Sequence, residues 1–180
     1  LMAMWVLSFH PTKQKLYHYV ISTLKKCVMQ TEIDIALATL KQGGIILYPC
    51  DTIWGIGCDA TNTEAVAKIF KLKNRADSKA LISLVANEKQ LKSITEIIPD
   101  LDITSSPTTI VYPNVKKLAE NLLAENGSAA IRIVQDTFCQ KLILSFGKAI
   151  VSTSANISGE MAPKQFSEIS KEIKNNVDYI

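Results

Sequence analysis

The stretch Asp136-Thr-Phe-Cys-Gln-Lys-Leu-Ile-Leu-Ser-Phe-Gly147, continued by Lys148-Ala-Ile-Val-Ser-Thr-Ser-Ala-Asn-Ile-Ser-Gly159, decides the fold. Asp136 belongs to the residue types whose side chain accepts hydrogen bonds from the open first turn of a helix. Phe138, Leu142, Ile143 and Phe146 then recur at the spacing of one apolar helical stripe, and Gly147 supplies the left-handed terminus. Ala149 to Thr153 form an apolar run of strand length, and the chain leaves it through a dense row of hydroxyl and amide side chains. A capped helix, a buried strand and a polar exit predict an α/β domain in which helices flank a mixed sheet.

The same rhythm recurs upstream. Thr31 is placed to cap a helix through Ala36, Leu37 and Leu40 that Gly43-Gly44 ends. Ile45 to Tyr48 reads as a buried strand running into a turn around Gly55 and Gly57. Thr61 with Glu64 has capping-box spacing ahead of a helix through Val66, Ile69, Phe70 and Lys73 that ends near Asn74. A strand at Leu81 to Val85 and a helix from Asn87 through Leu91, Ile94 and Ile98 follow. Further strands are expected at Thr108 to Tyr112 and Ala129 to Val134, with a short helix after Ser167. No internal repeat or low-complexity linker divides the chain, so residues 29–180 read as one domain. Residues 1–28 read as an N-terminal extension with a candidate helix at Leu16 to Cys27, and Met29 is a natural beginning for the regular part. Ile180 falls within what reads as a closing strand, so the natural chain is expected to run slightly further.

The 180 residues are 47% hydrophobic and 21% charged with both signs interspersed, a composition that closes one core. A formal charge of +3 is too mild for a dedicated polyanion binder, so any phosphate recognition must come from a local patch. Cys27, Cys50, Cys58 and Cys139 form no CxxC pair and no zinc-ligand grouping, and are expected as free thiols without a metal. Leu1 to Phe9 lacks the basic flank and cleavage site of a signal peptide, and no run reaches the roughly 20 apolar residues of a membrane span. A soluble cytoplasmic protein is expected.

Four segments carry groups that could do chemistry. Lys73-Asn-Arg75-Ala-Asp-Ser-Lys79 sets three cations at a helix end, where an Arg fork and mobile Lys charges suit a polyphosphate. Cations there also complement the helix dipole, and the stretch lacks the glycine-rich loop of a P-loop. Ser152-Thr153-Ser154-Ala155-Asn156 lies at a strand end, where ligands of open α/β sheets bind, although the same residues suit a plain turn. Pro49-Cys50-Asp51-Thr52-Ile53-Trp54-Gly55 also follows a strand directly. In Ser128-Ala129-Ala130-Ile131-Arg132 one Arg interrupts an apolar strand, which is expensive unless the guanidinium is paired or reaches a cleft, so Arg132 is expected to meet a carboxylate ligand, with a water-facing edge as the alternative. The histidines, His10 and His18, lie in the extension, and no GxSxG is present, so a His-based triad is excluded. What remains is catalysis by positioning and charge stabilisation.

In this order the four segments resemble the YrdC-type threonylcarbamoyl-AMP synthase family in its short form, from about Ile33 to Tyr179. The resemblance implies an open twisted sheet around a basic concave cleft and a nucleotidyltransferase that combines L-threonine, bicarbonate and ATP, with magnesium, into threonylcarbamoyl-AMP and pyrophosphate. A separate transferase would then modify tRNA. It assigns Lys73, Arg75 and Lys79 as catalytic residues at the ATP phosphates, Ser128, Ser154 and Asn156 to the nucleotide, and Thr52, Arg132 and Ser152 to threonine. Departures are Cys50 where the family usually has Thr, Ala76 where Pro is common, and Ser106-Pro107-Thr108-Thr109 in place of Pro-Gly-Pro-x-Thr. Two other readings accompany it: a module binding double-stranded RNA or tRNA without catalysis, and a carbamoyl-transfer domain fed by carbamoyl phosphate.

Overall fold

The computed structural model describes residues 11–74, 81–99 and 106–180, with the side chains of the first helix from residue 19 onward. In chain order the regular elements are helix α1 (Pro11–Lys41), strands β1 (Ile46–Tyr48) and β2 (Gly55–Gly57), helix α2 (Thr63–Leu72), strand β3 (Ile82–Val85), helix α3 (Glu88–Lys92), strands β4 (Thr109–Tyr112) and β5 (Ala129–Ile133), helix α4 (Thr137–Phe146), strand β6 (Ile150–Ser154) and helix α5 (Lys171–Asn175). The strands form one open sheet in the order β1-β2-β6-β3-β5-β4. Only β3 and β5 run parallel, so the sheet is mixed and helix-flanked, as the pattern predicts, but mostly antiparallel.

The register sorts the side chains onto two faces. Tyr48 lies beside Gly55 and Gly55 beside Ser154; Ile82 lies beside both Ser152 and Ala130, and Arg132 joins Leu84 to Thr109. Partners in register project to the same side, so these residues share one face. The opposite face, with Leu47, Ile56, Val85, Ile131, Ile133 and Val151, is buried with Val66, Ile69 and Phe70 of α2 in the larger core. On the first face, Ile33, Ala36 and Leu40 of α1 and Leu142 and Ile143 of α4 cover Ile46, Tyr48, Leu84 and Ile150. That cover stops short of Ala130, Arg132, Ser152 and Ser154, which stay part-exposed. The alternating burial of β5 follows from one face being packed and the other half open.

Several local expectations give way to tertiary contacts. α1 is continuous through Thr31, whose hydroxyl donates back to the Cys27 carbonyl at 3.1 Å instead of capping a new helix. Thr61 gives its N–H and hydroxyl to Asp59 at 2.8 and 2.7 Å, so Asn62 caps α2, accepting from Glu64 and Ala65. α3 ends at Lys92; Ser93 Oγ turns back to the Gln90 carbonyl, and Ile94 enters the core from a loop. Gly55 and Gly57, expected in a turn, are strand residues between β1 and β6. The reason is the Tyr48 ring, which lies across them: a Cβ on Gly57 would stand 2.8 Å from that ring and 2.5 Å from the Val151 carbonyl oxygen. The Asp136 cap and Gly147 terminus of α4 stand as expected, with Gly147 at φ 75°.

Candidate active site

A cleft of about 290 Å³ opens on the uncovered part of the first face. It is lined by Thr52 and Gly55 from the approach to β2, Ser152 and Ser154 from β6, and Arg132 from β5. Thr52, Arg132, Ser152 and Ser154, spread over a hundred residues, therefore meet in one place. The cleft lies on a sheet face, not outside the carboxyl ends of parallel strands. β6 runs antiparallel to both neighbours, so the strand-end rule for parallel sheets does not locate it.

One half of the cleft is built around Arg132. Its Nε donates to Thr109 Oγ1 at 3.0 Å, and its Nη1 stands 3.6 Å from Asp51 Oδ1, the two side chains being 14% and 8% exposed. Asp51 also accepts from the Gln135 N–H at 3.2 Å and from Cys50 Sγ at 3.1 Å. The sequence flagged Arg132 as a charge that needs a partner but did not reveal that Asp51, some eighty residues earlier, is one. Ser152 lies against the hydroxyl of Tyr48, whose burial holds that phenol well above its ordinary range. The Cys139 thiol at the start of α4 contacts Cys50 and donates to the Pro49 carbonyl at 3.5 Å, which ties the 48–52 segment to the helix layer.

The other half is the turn after β6. Lys73, directly after α2 and only 1% exposed, donates to the carbonyls of Ser154 at 2.5 Å and Asn156 at 2.7 Å, with Asn156 Oδ1 at 3.3 Å. Asn156 Oδ1 also accepts from Ser154 Oγ at 2.5 Å, while its Nδ2 donates to the carbonyls of Ile157 and Glu160. All four hydrogen-bonding positions of that carboxamide are engaged within the turn. Lys73 and Asn156 thus shape the turn from beneath, and Ser154 is the member that lines the cleft.

Ser128 is buried at the start of β5, outside the lining of this cleft, with its N–H bonded to Asn126 Oδ1. Arg75 and Lys79, and Ala76 between them, lie outside the described residues. A larger apolar groove of about 920 Å³ runs between α1 and β1, lined by Leu24, Val28, Phe138 and Tyr179, and holds none of the candidate site residues. Among the described residues no group of His, Cys, Asp and Glu is arranged to hold a metal ion, and no helix is long and apolar enough to cross a membrane.

Residues 38–180 match the model of the Sua5/YciO/YrdC family, described as telomere recombination. The threonylcarbamoyl-AMP synthase of Blochmanniella pennsylvanica is 33% identical over 145 residues, covering 76% of this chain and 75% of its own. That of Pseudoalteromonas translucida is 34% identical over 158 residues, covering 83% and 84%. The crystal structure of P. abyssi Sua5 complexed with L-threonine superposes with a TM-score of 0.75 at 25% identity over 82% of this chain, which spans only 45% of that longer protein. The chain belongs to the Sua5/YciO/YrdC family.

Proposed function

We propose that this protein is a threonylcarbamoyl-AMP synthase, a nucleotidyltransferase that joins L-threonine, bicarbonate and ATP. The observation that carries the reading is the convergence of Thr52, Arg132, Ser152 and Ser154 on one cleft. The relatives that share most of the chain bear the name of this enzyme, which favours it over the RNA-binding and carbamoyl-phosphate alternatives.

In this reading the threonine carboxylate faces the Arg132 guanidinium, a planar fork suited to two oxygens, while Thr52 and Ser152 take its remaining polar groups. The threonine nitrogen forms a carbamate with bicarbonate-derived carbon dioxide. A carbamate oxygen then bonds to the α-phosphorus of ATP as the bond to pyrophosphate breaks. Arg75 and Lys79 offset the charge that gathers on the departing pyrophosphate, and Ser154 contacts the nucleotide. Lys73 and Asn156 keep that turn in shape, and Ser128 approaches the nucleotide from the start of β5. Magnesium enters with the triphosphate as part of the substrate. The product passes to a separate transferase acting on tRNA, in the cytoplasm.

Incubation of the purified protein with magnesium, ATP, L-threonine and bicarbonate is expected to release pyrophosphate only when threonine is present. Pyrophosphate release that ignores threonine, or salt-sensitive RNA binding in a protein that does not bind ATP, would sink the reading.

A further inference from the structure

We infer that Asp51 and Thr109 are positioning residues that hold Arg132 with its two terminal nitrogens turned to the cleft, so that it recognises the carboxylate of the amino-acid substrate. The inference rests on the proposed threonine site and adds residues that the sequence reading did not place there.

The geometry distinguishes a tether from a neutralising partner. Asp51 Oδ1 is 3.6 Å from Arg132 Nη1, close enough for attraction but beyond hydrogen-bond length. Its oxygens are engaged elsewhere, Oδ2 by the Gln135 N–H and Oδ1 by the Cys50 thiol. Thr109 takes the single Nε–H at 3.0 Å. Among the described residues neither terminal nitrogen of Arg132 makes a hydrogen bond, so the two N–H donors on the edge opposite the stem, one from each terminal nitrogen, have no partner among those residues.

The surroundings explain why such a tether is needed. A part-buried guanidinium with a long stem loses several rotamers when it binds a ligand, and holding it in place beforehand removes that cost. A carboxylate that bonded Arg132 fully would compete with the substrate instead. Asp51 is kept from that role by its two other donors. Both tethers reach Arg132 from well-fixed places, since Thr109 is its register partner on β4 and Asp51 is bonded to the backbone of Gln135.

The test compares L-threonine with L-threoninol, which lacks the carboxylate, in the pyrophosphate-release assay. Asp51→Asn is expected to raise the KM for L-threonine about tenfold, leave the KM for ATP within twofold, and leave inhibition by L-threoninol unchanged. Thr109→Val, a substitution at an exposed position, should give the same selective pattern more weakly and decides the matter if Asp51→Asn fails to fold. In an Arg132→Ala background either change should add less than twofold. Equal losses for L-threonine and L-threoninol, or losses that persist without Arg132, would overturn the inference while leaving the enzyme reading intact. If Arg132→Ala itself spares threonine use, both this inference and the assigned role of Arg132 fall.

Discussion

The Lys73 ammonium lies 2.7 Å from the Asn156 carbonyl oxygen, and the side chain that carries it is almost wholly withdrawn from water. A buried charge is tolerated only where it is paired or richly hydrogen-bonded, and here the turn after β6 supplies the acceptors. Lys73→Met keeps the length of the side chain but leaves those carbonyls unsatisfied. It is expected to cost about 3 kcal/mol of stability, read from the midpoint of urea unfolding. A variant as stable as the parent would show that the turn does not depend on this cation.

The roles proposed for Arg132 and Lys79 predict effects that separate by ligand. Arg132→Ala is expected to raise the KM for threonine roughly 10- to 100-fold with little effect on ATP, the usual worth of a hydrogen-bonded charge. Lys79→Ala should do the reverse. Steady-state kinetics with each substrate varied in turn checks the division, and equal losses for both ligands in both variants would contradict it.

Gly57 is hemmed in by both the Tyr48 ring and the Val151 carbonyl of β6. Gly57→Ala places a carbon 2.5 Å from the Val151 carbonyl oxygen and forces β2 away from β6. A loss of about 1–3 kcal/mol in chemical denaturation is expected, with reduced threonine use, because Ser152 lies on β6 next to Val151.

Tyr179 donates to Glu32 Oε2 at 2.5 Å and joins the end of the chain to α1. Burial first, and then this bond, push its phenol from 10.0 up to about 12. A raised value means that the folded state favours the protonated form. The stabilisation is therefore fully present below pH 10 and is lost as the pH rises through about 12. Tyr179→Phe is expected to cost about 1 kcal/mol at neutral pH. The gap between variant and parent should close over that alkaline interval in pH-dependent melting.

The helices and most strands were legible because their signals are local. Asp136 and Gly147 bracket α4 in the sequence as they do in the structure, and the apolar run at Ile45 to Tyr48 is a strand in both. The errors fall where a distant partner decides. Gly55 and Gly57 carry turn chemistry until the ring of Tyr48 is laid over them, and Thr61 makes a plausible cap until Asp59 takes both of its donors. In the candidate site, Arg132 stood out as a lone charge in an apolar strand. Asp51 did not, because nothing local marks an acid as the companion of a residue on another strand. The hydrogen bonds from Lys73 to the turn after β6 were similarly hidden, because its acceptors lie some eighty residues further along the chain.

β6 is the last strand in the chain yet sits near the middle of the sheet, between β2 and β3. Until it is made, the β1-β2 hairpin and the β3-β5-β4 group have no strand to join them, and neither Ser152 nor Ser154 is available to the cleft. Inserting it closes two long loops at once, a step whose entropy cost falls late in folding. Without residues 150–154 the sheet would therefore fall into two unjoined pieces with open edges. Pairing of β6 therefore completes the sheet and the lining of the cleft together.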